Sequence, residues 1–197
     1  MNKWDDYYIR TKDNDPSYIL HLALFKVNLK TGHAIDLGCG NGADTFLLIE
    51  KGWTVTSIDF QEKALKNTYE RILPEKRCNL TLIKEKFEDV DLPKADLVIA
   101  NDSLSFCTPN QFPAFWNKIR DAINPEGRFA GNFFGKRDGL VNNQHSFFEL
   151  DEIKEMFKGF NTEIFFGKYE EGPTSSGELW NVFYVVAKKS KANSLSI

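Results

Sequence analysis

The sequence predicts an α/β protein built on a doubly wound, mainly parallel sheet. Three observations carry this expectation. Residues His33–Phe60 read as strand, glycine turn, helix and second strand. Strand-like apolar runs then alternate with helix-like segments towards the end of the chain. Finally, 197 residues with a hydrophobic share of 42% suffice for one full core, and the sequence shows neither repeats nor a second domain.

In the first unit, Ala34, Ile35 and Leu37 form a short apolar run that suits a buried parallel strand. Gly38, Gly40 and Gly42 follow in DLGCGNG. The next helix carries Phe46, Leu47, Leu48 and Ile49 on one broad face, and Gly52 ends it. Thr54–Ile58 is a β-rich run that stops at Asp59. A turn without side chains lets backbone N–H groups and a helix N-terminus face a polar ligand. An acid ending the second strand can accept hydrogen bonds from both hydroxyls of a ribose. The unit therefore predicts a nucleoside site. Gly38, Gly40 and Ala43 also fit the dinucleotide pattern G-x-G-x-x-G/A. Asp36 tips the balance, because a carboxylate just before the first glycine would repel a pyrophosphate and suits an ammonium group.

Asp36, Gly38, Gly40 and Gly42 match every fixed position of D/E-x-G-x-G-x-G, and Asp59 matches the acid of a second motif. On these residues the sequence resembles the class I S-adenosylmethionine-dependent methyltransferases, from about Asp36 to the last strand. The resemblance implies a Rossmann-like doubly wound seven-stranded sheet with a C-terminal antiparallel hairpin. It implies S-adenosyl-L-methionine as cofactor, held around Asp36, Gly38, Cys39, Gly40, Asn41, Gly42, Asp59 and Phe60. After the third strand, Phe87 takes the place of a residue whose backbone N–H meets the adenine. Lys86 stands where the family often has an acid, and it has no acceptor to offer. Glu85 and Glu88 read as solvated charges or as its substitutes. The compact chain is similar to tellurite-resistance-type and thiopurine-type members, which implies a small, soft or thiol acceptor.

Before the first strand, Asp15-Pro16-Ser17 reads as a helix start with Asp15 as cap, followed by an apolar face from Ile19 to Val27. Trp4, Tyr7 and Tyr8 precede it at helical spacing. They either pack this segment onto the domain or, as the resemblance implies, make residues 1–30 a lid. The methyltransferase domain is expected over 31–189 and a disordered tail over 190–197. Gln61–Leu73 reads as a helix closed by Pro74, and Leu80, Leu82 and Ile83 mark the third strand. Asp96–Ala100 is the fourth strand, with Asn101 and Asp102 at its ligand-binding end. The segment Asn101–Leu104 is not the N/D-P-P-Y/F of enzymes that methylate adenine or glutamine. Phe112–Ile123 reads as a helix, Pro125-Glu126-Gly127 as a turn, and Arg128–Phe134 as the fifth strand. A polar loop, Gly135–Ser146, and a helix, Glu149–Phe157, follow. Glu163–Phe166 and Leu179–Ala187 would form the last strands around a flexible Glu171–Gly177 connector.

Methyl transfer from a sulfonium is an in-line displacement, and positioning supplies much of its acceleration. A base is needed only if the acceptor must lose a proton. His145 and Asp102 are the candidates, with an ordinary loop histidine and a capping aspartate as the structural alternatives. Arg137, beside Lys136, reads as a grip for an anionic substrate or as half of a solvated pair. A net charge of −3 gives no general attraction to nucleic acid. No run suits a membrane span or a signal peptide. Three scattered cysteines form neither a disulfide framework nor a zinc pattern. The expectation is a metal-free cytoplasmic protein with a small-molecule substrate and an oligomeric state the sequence leaves open. Two other functions fit less well. A NAD(P)-dependent oxidoreductase would leave Asp36 beside phosphate, and a non-catalytic S-adenosylmethionine-binding module would keep the site without turnover.

Overall fold

The computed structural model describes residues 3–26, 31–137, 144–171 and 179–191. Its centre is a seven-stranded sheet of β1 (His33–Leu37), β2 (Thr54–Asp59), β3 (Leu80–Lys84), β4 (Ala95–Ala100), β5 (Ile123–Phe134), β6 (Phe160–Glu171) and β7 (Leu179–Lys189). The order is β3-β2-β1-β4-β5-β7-β6. The first five strands run parallel, and β7 is antiparallel to both β5 and β6. The doubly wound sheet and its closing antiparallel pair agree with the expected fold. Strand order reverses between β1 and β4, which opens a crevice at their carboxyl ends.

Residues alternate between two buried layers because successive side chains of a strand point to opposite faces. One layer joins Ile35, Leu37, Ile58, Val98, Phe129 and Phe133 to α5 (Phe112–Ala122) and α6 (Leu150–Met156). The other joins Ala34, Val55, Leu97, Ile99 and Ala130 to α2 (Tyr18–Lys26) and α3 (Ala43–Glu50). Helix α5 buries Phe112, Phe115, Trp116, Ile119 and Ala122, the i, i+3, i+4, i+7 stripe of a core-facing helix. Trp116 meets Phe129, Phe133 and Phe157 edge-on, with ring centroids 5.2, 5.7 and 5.1 Å away. Two further helices, α1 (Lys3–Arg10) and α4 (Glu62–Arg71), complete the set of described α-helices.

Local departures from expectation have physical causes. Ser17, not Asp15, starts α2, since its hydroxyl accepts the Leu20 N–H at 3.2 Å. Pro74 does not merely close a helix; it opens a 3-10 turn over Pro74–Asn79. Pro125-Glu126-Gly127 lies inside β5 rather than before it. Glu126 has φ 68°, and the β4–β5 register shifts between Ala95 and Leu97, so the segment is an irregularity within the strand. Strand β6 starts before and ends after Glu163–Phe166 because it pairs with β7 along its length. The Gly172–Gly177 stretch of the connector, residue Val27 and positions 192–197 of the expected tail lie outside the described residues. Ser190 itself is tied back, its N–H donating to Gly159 O at 3.2 Å. Among the described residues no helix is long and apolar enough to cross a membrane.

Candidate cofactor and acceptor site

The glycine turn joins β1 to α3. Gly38 and Cys39 donate their N–H groups to Ile58 O at 2.8 and 3.1 Å, fastening the turn to β2. Gly42 has φ 72°, and a Cβ there would stand 2.9 Å from the Thr68 Cα of α4. Gly40 also has positive φ, 53°, but a Cβ there would meet nothing within 4 Å. The turn is thus packed at one glycine and faces open space at the other. Asp59 braces it from β2, accepting the Gly40 N–H at 3.1 Å and the Gln61 N–H at 2.8 Å. Burial raises the Asp59 pKa, and these backbone donors pull it the other way. Asp36 is buried under the turn and accepts from the Thr45 hydroxyl at 2.6 Å, which contacts Ser57 Oγ at 2.7 Å. Its pKa is raised by burial, with Asp44 adding to the rise. Cys39 is buried against Thr68, with its Sγ 3.5 Å from the hydroxyl, and burial raises its thiol pKa.

The end of β4 forms the opposite wall. Asp102 sits at φ 51°. Its N–H donates to Asn132 Oδ1 at 2.6 Å, and its carboxylate accepts from Asn132 Nδ2 and, at 3.0 Å, from Asn101 Nδ2. Burial raises its pKa against these donors. Ser103 packs against Gly38, and its Oγ is buried without a hydrogen-bond partner among the described residues. Phe87 also approaches Gly38 and stacks on Phe115 with centroids 4.9 Å apart. Lys86 is exposed; its carbonyl accepts the Asp89 and Val90 N–H groups.

Helix α1 supplies an aromatic rim. Trp4 meets Phe60 and Phe106 edge-on at 5.9 and 5.1 Å and stacks beside Tyr8 at 6.2 Å. Tyr7 contacts both Trp4 and Tyr8, and Phe106 meets His145 at 5.1 Å. Burial raises the Tyr7 pKa first, then the nearby Asp102 and Asp59 charges. Tyr8 is raised further, again by burial ahead of Asp59. The rim is stapled to the glycine turn. Asn41 Nδ2 donates to Tyr8 O at 2.9 Å and Thr11 Oγ1 at 2.8 Å, while Asn67 Nδ2 holds Asn41 Oδ1 at 2.7 Å. Asp44 accepts the Ser17 N–H and hydroxyl at 2.6 and 2.7 Å.

The structure therefore gathers Asp36, the glycine turn, Asp59, Phe60, Phe87, Asn101 and Asp102 near one crevice, with Trp4, Tyr7, Tyr8 and His145 on its rim. The side chains of Lys86 and Arg137 are exposed to solvent. An open cleft of about 580 Å³, lined by Thr108–Gln111 and Gln144, runs along the segment after β4. Asn132, Ser103 and Phe106 were not singled out from the sequence. Asn132 carried a signal: it is the polar residue in the buried run Phe129–Phe134.

The sheet order and the closing antiparallel pair are those of a Rossmann-like methyltransferase fold. Residues 35–129 match the family model described as a methyltransferase domain. The match covers just under half of the chain and supports a class I S-adenosylmethionine-dependent methyltransferase. Carboxy-S-adenosyl-L-methionine synthase from Colwellia psychrerythraea is 27% identical over 129 residues, which cover 57% of this chain and 50% of that protein. The match thus spans half the length of that curated relative. Among solved structures, TehB from Haemophilus influenzae superposes with a TM-score of 0.79 at 18% identity, covering 95% of this chain and 68% of that one. The 1,6-didemethyltoxoflavin-N1-methyltransferase of Burkholderia thailandensis, with 1,6-didemethyltoxoflavin and S-adenosylhomocysteine bound, gives 0.69 at 19% identity, covering 95% and 87%. At such identities the likeness establishes the fold.

Proposed function

We propose that this chain is an S-adenosylmethionine-dependent methyltransferase that acts on a small-molecule acceptor by in-line transfer. The observation that carries the reading is the open space at Gly40, beside the buried Asp59 carboxylate. A side chain at Gly40 would fill room that a nucleoside needs, and each Asp59 oxygen keeps a lone pair for a ribose hydroxyl. The partnerless Ser103 hydroxyl adds a hydrogen-bonding group beside Gly38. Asp36 and Asp102 favour a cationic amino-acid end over a pyrophosphate. The residues present fit S-adenosylmethionine.

When bound, S-adenosylmethionine supplies an electrophilic methyl carbon whose bond to sulfur breaks as the acceptor bond forms. The protein's share is to bind, orient and enclose. Phe60 and Phe87 would flank the purine, and Asn101 and Asp102 would hold the methionine end. Trp4, Tyr7 and Tyr8 form a lid that keeps water from the acceptor. The raised pKa values of both tyrosines keep them neutral phenols, which suits them to donate hydrogen bonds rather than to act as bases. His145 and Asp102 are the groups that would take a proton from an acceptor that must lose one. Arg137, exposed beyond β5, serves an anionic acceptor only if it turns inward. A small acceptor is supported by the Burkholderia relative, whose structure holds 1,6-didemethyltoxoflavin. Free Cys39, Cys78 and Cys107 suit a reducing cytoplasm.

The test is calorimetric titration with S-adenosylmethionine, S-adenosylhomocysteine and NAD(H) in parallel. The adenosyl pair should bind at micromolar level, NAD(H) should not, and Asp59→Ala should lose the binding. Binding of NAD(H) alone would overturn the reading.

A further inference from the structure

Asp102 is one of two non-glycine residues with positive φ among the described residues, and the one that lies in the crevice. Side chains strain at φ 51°, whereas glycine adopts it freely. The position nevertheless carries a carboxylate, and two amides, the half-buried Asn101 and the buried Asn132, hold it on both oxygens. Asn132 does most of the holding. It is 1% exposed on β5, in a run whose neighbours Phe129, Ala130, Phe133 and Phe134 are buried and apolar. A buried amide there costs free energy unless both of its ends are paired. Both ends meet Asp102: Oδ1 accepts its N–H, and Nδ2 donates to its Oδ1. The amide therefore fixes the backbone and the carboxylate of one residue together.

We propose that Asn132 is a positioning residue that aims the Asp102 carboxyl group at the cationic amino-acid end of the cofactor. The proposal rests on the methyltransferase reading of the site. Asp102 acts electrostatically on Tyr7 of α1 and Asp44 of α3, and the rim of the same crevice carries His145. The cofactor's ammonium group offers such a carboxylate an opposite charge.

The test measures S-adenosylhomocysteine affinity by calorimetry across pH, together with denaturant midpoints, so the readout does not depend on turnover. Asp102→Gly relieves the strain at φ 51° but leaves the buried Asn132 Nδ2 without its acceptor, so its midpoint should move little, yet binding should weaken about tenfold or more. Asn132→Asp sets two carboxyl groups against each other, so one proton becomes shared. Its affinity should fall about tenfold at neutral pH and recover as the pH is lowered, while the parent protein shows no such recovery. The double swap Asp102→Asn with Asn132→Asp restores the paired hydrogen bonds but moves the charge. It should recover the midpoint and not the affinity. Parent-like binding in Asp102→Gly, or recovery of both quantities in the swap, would overturn the proposal and leave Asn132 a structural residue. Failure of the unaltered protein to bind S-adenosylhomocysteine would instead overturn the methyltransferase reading.

Discussion

Two glycines of one turn, two residues apart, make a sharp experiment. Gly40 and Gly42 both lie in the left-handed region, at φ 53° and 72°. Alanine at either position therefore carries the same backbone cost, about 1–2 kcal/mol. Their surroundings differ. A methyl at Gly42 would sit 2.8 Å from the Thr68 Cγ2 and 2.9 Å from its Cα. The backbone of α4 cannot step aside as a flexible side chain would, which adds an overpacking cost of about 1–3 kcal/mol. Gly42→Ala should therefore destabilise by about 2–5 kcal/mol, and Gly40→Ala by about 1–2 kcal/mol. Binding should rank the other way among folded molecules. The methyl at Gly40 enters the open space, so Gly40→Ala should weaken S-adenosylhomocysteine binding far more than its modest instability explains. Urea denaturation and calorimetry on the two variants decide the matter. Equal destabilisation of both, or parent-like binding by Gly40→Ala, would refute the assignment of that space to the ligand.

Further outcomes follow from the same geometry. Asp36, Asp44, Asp59 and Asp102 all have raised pKa values in the folded chain, with burial the first cause of each. A raised carboxyl binds more protons folded than unfolded, so its contribution is full below the ordinary carboxylate range and is lost as pH rises through the folded value. The denaturant midpoint should be higher at about pH 5.5 than at about pH 8, and bound S-adenosylmethionine should narrow the gap. Asn41→Ala removes the donors to Tyr8 O and Thr11 Oγ1, and should cost about 1–3 kcal/mol while speeding amide exchange in α1 relative to β1. Phe133→Ala empties the core beneath β5 and should cost about 3–5 kcal/mol in denaturation. Trp4→Ala removes the ring that touches Phe60, Phe106, Tyr7 and Tyr8, and should raise solvent access to bound cofactor with little loss of global stability, measured by quenching of a fluorescent cofactor analogue.

The parts of this protein that were legible in the sequence are those whose causes are local. Ala34-Ile35 and Thr54–Ile58 are apolar or β-branched over a strand's length, and the glycines and Asp59 follow at fixed spacing. α5 announces itself through its stripe. The errors arose where distant residues decide. Ser17 rather than Asp15 begins α2 because Asp44, 27 residues away, takes its N–H and hydroxyl. Pro125-Glu126-Gly127 has turn composition, yet β4 beside it draws the segment into the sheet. Asp102 was visible as an edge carboxylate, but its clamp stands 30 residues on in β5. No local pattern links two such positions, although an asparagine amid phenylalanines was itself a departure that asked for a partner.

The attachment of the rim to the glycine turn also sets an order of assembly. The partners of α1 and of the segment leading into α2 all come later in the chain: Asn41, Asp44, Lys63 with Asp5, and Arg71 with the carbonyls of Lys12 and Asn14. During synthesis this segment emerges before these partners do. These hydrogen bonds close loops of 27 to 59 residues, the longest only once α4 is in place. The docking groups on the glycine turn and α4 precede β4 and Asp102 in the chain, so α1 can dock on one wall of the crevice before the other wall has been made.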